Sequence, residues 1–302
     1  MNYVLGDHQY GKAENRIVRF VRDGARHEIR DLNVTTALRG DFADAYLTGD
    51  QSKVLPTDTQ KNTVYAFAKK HGIASAEEFG LALARHFVED VAPVEGARIE
   101  IEEFAWDRAT VGEGGHDHTW VRRGPEVRTS AVTVDTTGEH VIGGVKDLVL
   151  LKSTGSQFAG FLSDEYTTLP EVFERVMASS IVAKWRFTAA AVESDAVEWD
   201  AVFPVIRAHL IEQFATLHSL ALQQTLWHMG TAVLDAVPEI CEIRLQAPNK
   251  HHFVVDLTPF SLDNPNEVFF AADRPYGLIE ATVQREGTAP APAAWATIPG
   301  FC

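Results

Sequence analysis

The run Ile181-Val-Ala-Lys-Trp-Arg-Phe187, two helical stretches after it, and then Cys241-Glu-Ile-Arg-Leu-Gln246 decide how this chain folds. Ile181, Ala183, Trp185 and Phe187 alternate with Lys184 and Arg186, the period of a strand with one buried face. Val202, Ile206, Leu210, Phe214 and Leu217 then recur at the spacing of a single helical face. Leu226, Met229, Val233 and Val237 repeat that spacing in a second helix. Cys241, Ile243 and Leu245 alternate against Glu242, Arg244 and Gln246, which returns the chain to strand. The unit is strand, two helices, strand.

Toward the N-terminus the same order occurs once more. Residues 16–21 and 28–34 alternate loosely around Arg22-Asp23-Gly24-Ala25, a hairpin signal. A helix is expected over 59–70. Ser75-Ala-Glu-Glu78 has capping-box spacing and starts a helix with Phe79, Leu83 and Phe87 on one face. Residues 98–106 predict a strand, in which Ile99 and Ile101 alternate with Glu100 and Glu102. Phe104 and Trp106 fall on the other parity, which predicts a bulge near Glu103. The Gly-rich stretch 111–115 predicts a loop, residues 127–134, 141–152 and 253–257 predict strands, and 288–294 is a loop or linker by composition. The fold class is therefore α+β, with antiparallel sheets backed by helices and two repeats of one pattern, 1–136 and 137–302. The halves share no obvious sequence identity.

The chain has 302 residues, with 27 Lys and Arg against 42 Asp and Glu, a formal charge of −15. That surface argues against nucleic acid, whose binders present basic stripes, and against an anionic membrane. An anionic ligand would need a local basic site working against the global field. Two cysteines, Cys241 and Cys302, leave at most one disulfide, and their spacing fits no zinc motif. The opening Met1-Asn2-Tyr3-Val4 soon meets Asp7, His8 and Lys12, so it is no secretory h-region. Gly300-Phe301-Cys302 is not the Ser-Lys-Leu peroxisomal address. No window reaches the apolar length of a membrane helix. A cytoplasmic setting is expected.

Several stretches are denser in polar groups than helix or strand patterning requires. Thr57 or Asp58 is a candidate N-cap for the helix that follows. Asp273-Arg274-Pro275-Tyr276-Gly277 and Asn264-Pro265-Asn266 have the composition of turns. Pro248-Asn249-Lys250-His251-His252 lies between two expected strands. His116-Asp117-His118 lacks a third partner for a metal, and Lys152-Ser153-Thr154-Gly155 lacks the upstream glycine of a phosphate loop. Generic motifs alone leave the chain unassigned.

Together these stretches resemble the urate oxidase (uricase) family. The resemblance rests on Tyr10-Gly11-Lys12 with Arg16, Thr57-Asp58-Thr59-Gln60-Lys61-Asn62-Thr63-Val64-Tyr65, and His116-Asp117-His118. It continues through Leu151-Lys152-Ser153-Thr154-Gly155-Ser156-Gln157-Phe158 and Asp164-Glu165-Tyr166-Thr167-Thr168-Leu169. Pro248-Asn249-Lys250-His251-His252-Phe253 and Asn264-Pro265-Asn266-Glu267-Val268 complete it. The motifs stand in family order over essentially the whole chain. The resemblance implies tandem tunnel-fold (T-fold) repeats that form a β-barrel tunnel on oligomerisation, and a homotetramer with active sites between subunits. It implies oxidation of urate by O2 and water to 5-hydroxyisourate and hydrogen peroxide in purine degradation, with no metal and no organic cofactor.

The same resemblance implies the residue roles. Arg175 is the urate-binding arginine, whose planar fork suits an oxygen and nitrogen edge and a negative charge. Gln223 holds the other edge, where an amide offers both donor and acceptor. Phe158 stacks on the ring, Leu169 lines the pocket, and backbone groups at Asp58 and Leu222 complete the frame. Lys12, Thr57 and His251 form the proton relay: Lys12 takes urate's second proton, Thr57 links, and His251 orients or recharges the lysine. Asn249, with Thr57, holds oxygen, then peroxide or water, above the ring. Three positions depart from the family: Asn15 replaces a more usual apolar residue, Pro170 is expected to alter the entry to a helix bearing Arg175, and Ala221 stands where some members have serine.

Two other readings remain at this level. Another T-fold enzyme acting on a purine or pterin, such as a cyclohydrolase, needs a zinc-binding Cys/His set that the sequence does not offer at usable spacing. A non-catalytic purine-binding T-fold protein would keep Arg175, Gln223 and Phe158, but has no use for Lys12, Thr57 and His251 together.

Overall fold

The structure, a computed structural model, describes residues 3–194 and 196–297. Cys302, and with it the expectation of at most one disulfide, lies outside the described residues. β1 (Tyr10–Val21) and β2 (Glu28–Gly40) are followed by α1 (Ala43–Leu47), α2 (Thr57–Lys70) and α3 (Ala76–Asp90). β3 (Val94–Glu103), β4 (Trp106–Val111), β5 (Gly114–Arg122) and β6 (Val127–Asp135) end the first half. The second half runs through β7 (Gly138–Lys152), β8 (Met177–Phe187), α4 (Ala189–Glu193), α5 (Trp199–Thr216) and α6 (Leu222–Ala236). β9 (Ile240–Val254), β10 (Phe269–Gln284) and α7 (Pro292–Trp295) complete it.

Eight strands form one sheet in the order β1-β2-β3-β6-β7-β8-β9-β10, each pair antiparallel. In each half a hairpin leads to two long helices, and two more strands complete a group of four. The expected division at 136/137 falls in the β6–β7 turn, across which the sheet runs unbroken. The alternation sends one row of each strand toward the helices. Leu32, Val34, Ile99, Ile101, Val132, Ile181, Trp185 and Ile243 are all buried there. Phe79, Leu83 and Phe87 of α3 and Leu226, Met229 and Val233 of α6 belong to the same core. Ser75 is the N-cap of α3: the Glu78 amide donates to Ser75 Oγ at 3.1 Å.

Five local expectations are corrected. There is no bulge at Glu103: β3 ends, the Phe104 amide bonds to Asp31 O at 2.9 Å, and β4 and β5 leave as a separate two-stranded sheet. Only Gly112, at φ +63°, and Glu113 form the turn of that hairpin, while Val111 closes β4 and Gly114 and Gly115 open β5. Residues 253–257 form no separate strand: Phe253 and Val254 are the end of β9, which continues through Pro248 and His252. Residues 273–277 are not a free turn but an irregularity within β10, where the register shifts between Ala272 and Gly277. The tail is not a linker. Ala294 is buried, its carbonyl accepts from Arg98 at 2.9 Å, and Arg244 lies 3.6 Å over the Trp295 ring. Composition could not reveal that strap, because its partners are arginines on strands far away in sequence. Among the described residues, no helix is long and apolar enough to cross a membrane.

Candidate active site

Lys12 owes its position to a bulge in β1. Lys12 pairs with Thr36 and Asn15 with Val34, so three steps along β1 meet two along β2. The extra residue lies at Ala13–Glu14, where Glu14 has φ +54°. Side chains alternate with period two, so without that residue Lys12 would face away from the row holding Asn15 and Ile17. With it, Tyr10 and Lys12 turn to the helix side. There Tyr10 packs edge-on against Phe42 at 4.8 Å, and its hydroxyl donates to Leu55 O at 3.1 Å. Gly11 has no room for a side chain, because a Cβ would lie 1.7 Å from Thr36 O.

Thr57 and Asp58 open α2. The cap position is Pro56, which offers no side-chain bond, so neither Thr57 nor Asp58 is the N-cap. The first amides of a helix lack intrahelical partners and carry the positive end of its dipole. Asp58 instead accepts from Lys61 Nζ at 2.5 Å and from Asn62 Nδ2 at 3.0 Å. Lys61 holds the Asp58 carboxyl below the usual range, and the charge of Lys12 adds to the effect. Lys12 therefore lies within electrostatic reach of the first turn of α2. Among the described residues, its ammonium has no ion-pair or hydrogen-bond partner.

The remaining candidates gather where β8, β9 and α6 meet. Arg175 is not on a helix. It lies in the irregular segment that enters β8, so Pro170 precedes a loop and alters no helix entry. That loop is fixed by backbone bonds. Arg175 N bonds to Ser156 O at 2.9 Å, Phe158 N to Val172 O at 2.7 Å, and Gln157 N to Ser219 O at 2.8 Å. The last of these ties Phe158 to the start of α6, which opens with Leu222 and Gln223. The cap of α6 is Ala221, without a side-chain bond. Leu222 is buried, and its amide heads the helix; Gln223 is exposed. Ser179 at the start of β8 pairs with Asn249 of β9, which brings Asn249 and His251 beside the Arg175 loop. Leu169 lies on the intervening loop, 52% exposed.

Arg175 Cζ lies 5.5 Å from the Phe158 ring centroid, and Arg175 Nε donates to Ser156 Oγ at 3.2 Å. Burial pulls the Arg175 guanidinium below its ordinary value, yet an arginine remains charged at neutral pH. Among the described residues no carboxylate pairs with it. His251 is pushed below the usual imidazole range, first by burial and then by the charges of Arg175 and His252, so it is neutral at pH 7. A half-buried cation without a counter-ion, an aromatic face and a neutral base together suit a flat anion that must lose a proton.

The chain does not bring all candidates together. Lys12, Thr57 and Asp58 belong to the β1 end of the sheet, while Phe158, Leu169, Arg175, Leu222, Gln223, Asn249 and His251 belong to the β8–β9 end. β1 is first in the sheet order and β9 seventh, so six strand spacings, about 29 Å along the sheet, separate them. Within one chain the candidates therefore form two separate groups. Ser156 and Gln60 lie in stretches the sequence singles out but carry no role there, and Thr36 is missed; a threonine in the buried row between Val34 and Leu38 is its one signal. Among the described residues no group of three or more His, Cys, Asp or Glu could hold a metal, His116-Asp117-His118 included.

A family model described as Uricase matches residues 8–133 and 141–280. The chain is 52% identical over 299 residues to the uricase of Arthrobacter globiformis, covering 99% of this chain and 96% of that one. It is 35% identical over 285 residues to the uricase of Dictyostelium discoideum, covering 93% and 98% of the two chains. The crystal structure of the Arthrobacter globiformis uricase superposes with a TM-score of 0.92 at 51% identity, over 98% of this chain and 99% of that one.

Proposed function

This chain belongs to the uricase family, and on that premise we propose that it is a urate oxidase whose active site is shared between two copies of the chain. The fold is the tandem T-fold, an open antiparallel sheet with helices on one face. The observation that carries the reading is the uncompensated guanidinium of Arg175 over Phe158, next to a neutral His251. Urate is flat and anionic: the terminal nitrogens of Arg175 meet one edge, Gln223 the other, and Phe158 one face, with Leu169 closing the rim. The uncapped N-termini of α2 and α6 direct amide N–H groups at Asp58 and Leu222 toward the anion.

Chemistry begins when the second proton of urate passes toward Lys12, with the Thr57 hydroxyl as the link and His251 orienting the lysine. The dianion is a strong reductant, so it passes two electrons to O2 held by Asn249 and Thr57. The proton taken from the urate monoanion and one more from solvent complete hydrogen peroxide, and water adds to the oxidised ring to give 5-hydroxyisourate. The protein contributes orientation, desolvation and proton transfer, which needs neither metal nor organic cofactor.

Edge geometry supports the shared site. β1 and β10 are the open edges of the sheet, and long unpaired edges invite pairing with another chain. Joining β1 of one copy to β10 of the next places β1 two strand spacings, about 10 Å, from the partner's β9. Closing a tunnel in this way, with two such rings stacked, makes the homotetramer. We place the reaction in the cytoplasm, in keeping with the acidic surface and a buried free thiol at Cys241.

The test is purified protein mixed with urate in air, with a chelator and nothing else added. Loss of urate absorbance with one peroxide formed per urate supports the reading. Binding without turnover, or turnover only with added metal, contradicts it.

A further inference from the structure

Thr36 and Gln60 are polar residues at positions that the pattern reserves for apolar ones. Thr36 lies in the buried row of β2 among Leu32, Val34 and Leu38, and is 1% exposed. Gln60 lies on the packing face of α2 with Val64 and Ala68, and is 0% exposed. Burying a hydroxyl and an amide costs free energy unless both are bonded, and an apolar pair of similar size would pack as well. Here the bonds form a chain. The Lys12 amide donates to Thr36 Oγ1 at 3.2 Å, and the Thr36 hydroxyl donates to Gln60 Oε1 at 2.7 Å. Gln60 Nε2 reaches Leu55 O at 3.4 Å, just ahead of α2.

Each link meets a structural need. The bulge in β1 leaves amides that ordinary pairing does not satisfy, and threonine hydroxyls accept two of them. Thr36 takes Lys12, and Thr35 Oγ1 takes the Glu14 amide at 3.0 Å. Thr36 then carries the connection upward to Gln60, one helical turn beyond Thr57. The Lys12 backbone on β1 and the Thr57 backbone on α2 are thus held to each other through two fully buried side chains. Among the described residues, no hydrogen bond joins Lys12 directly to Thr57.

We propose that Thr36 and Gln60 are the positioning pair of the proton relay: they hold Lys12 at the distance from Thr57 that proton transfer needs, without touching substrate. This rests on the reading of Lys12 and Thr57 as the relay. Misplacement of reacting groups by about 1 Å can cost a hundredfold in rate while leaving binding nearly intact.

The test compares Thr36→Val, Thr36→Ser and Gln60→Met with Lys12→Met, all as full assemblies. Each is assayed for kcat, KM, the pH profile of kcat and anaerobic urate binding. Thr36→Val keeps shape but loses the hydroxyl, and Gln60→Met keeps volume but loses the acceptor. Each is expected to lower kcat about 10- to 100-fold, to displace the pH profile and to change urate binding less than about threefold. Thr36→Ser restores the hydroxyl and is expected to keep at least about a third of the wild-type kcat. Wild-type kcat in Thr36→Val and Gln60→Met beside an inactive Lys12→Met overturns the positioning role and leaves the relay standing. A fully active Lys12→Met overturns the relay itself. Equal losses in all three variants, or a rise in KM alone, assign the pair to packing and overturn the proposal. If Thr36→Val proves insoluble, Gln60→Met with Thr36→Ser decides the matter alone.

Discussion

Arg175 and Ser156 meet twice: the Arg175 amide donates to Ser156 O at 2.9 Å, and Arg175 Nε donates to Ser156 Oγ at 3.2 Å. The Nε is thereby used within the protein, which leaves the two terminal nitrogens as a fork for the ligand. Ser156 is fully buried, so its hydroxyl has no competing solvent. Hydrogen bonds to charged groups contribute about 1.5–3 kcal/mol, or roughly 10- to 100-fold in affinity. Arg175→Ala is expected to raise KM by about 100-fold with a smaller loss of kcat, and Ser156→Ala to raise it by about 3- to 10-fold. Steady-state kinetics at saturating oxygen measures both.

His251 provides a pH prediction with a definite sign. Burial first, and then nearby positive charge, disfavours the protonated ring, so its pKa lies below the ordinary 6.5. The acid limb of kcat, if His251 must be neutral, then falls below pH 6.5. Arg175→Met removes one of the charges responsible, and the His251 titration followed by NMR is expected to move upward. An unmoved titration would mean that Arg175 does not act on the ring.

Asn15 is 7% exposed, and its Nδ2 has no hydrogen-bond partner. It follows the bulge in the row that also holds Ile17. An unsatisfied buried donor costs about 1–3 kcal/mol. Asn15→Val is expected to raise the thermal midpoint, measured by thermal unfolding.

A second pH effect belongs to the junction of the two halves. Glu77, Glu103 and Asp200 surround Arg30 and Arg128, with Arg128 bonded to Glu77 at 2.6 Å and to Asp200 at 2.7 Å. Three carboxylates face two guanidiniums, so one is in surplus. Glu77, fully buried, is pushed up to about 7 by desolvation, against the attraction of Arg128. A raised carboxyl binds its proton more tightly in the folded state. Stability therefore falls as pH rises from the unfolded value near 4.5 to about 7, and is flat above. Glu77→Gln is expected to abolish that slope in thermal unfolding between pH 5 and 8.

The strand–helix–helix–strand plan was legible because its buried rows are nearly unbroken: Ile181 to Phe187 and Leu226 to Val237 are periodic and stay in phase with the core. The N-cap at Ser75 was legible for a local reason, since both partners lie within four residues. What patterning missed depends on distant contacts. β4 and β5 form a largely exposed arm in which His116 and Val121 face solvent or neighbours of mixed polarity, so no alternation marks them. Pro248 to His252 continues β9 because β8 and β10 pair on either side, which local composition cannot express. The placement of Arg175 in a loop follows from its bonds to Ser156, nineteen residues away. The site residues were named through family likeness. Their division between the two ends of one sheet became visible only with the strand order.

The shared site is tested most directly by complementation. Lys12→Met spoils only the β1 half-site, and Arg175→Ala only the β8–β9 half-site. Each variant alone is expected to be nearly inactive. Co-expressed so that assemblies mix at random, they form some sites with an intact Lys12 from one chain and an intact Arg175 from the other. Random pairing makes that about one quarter of all sites, so about a quarter of wild-type activity is expected. Activity no greater than that of the two variants measured separately would show that each site is built within a single chain, and would contradict the account.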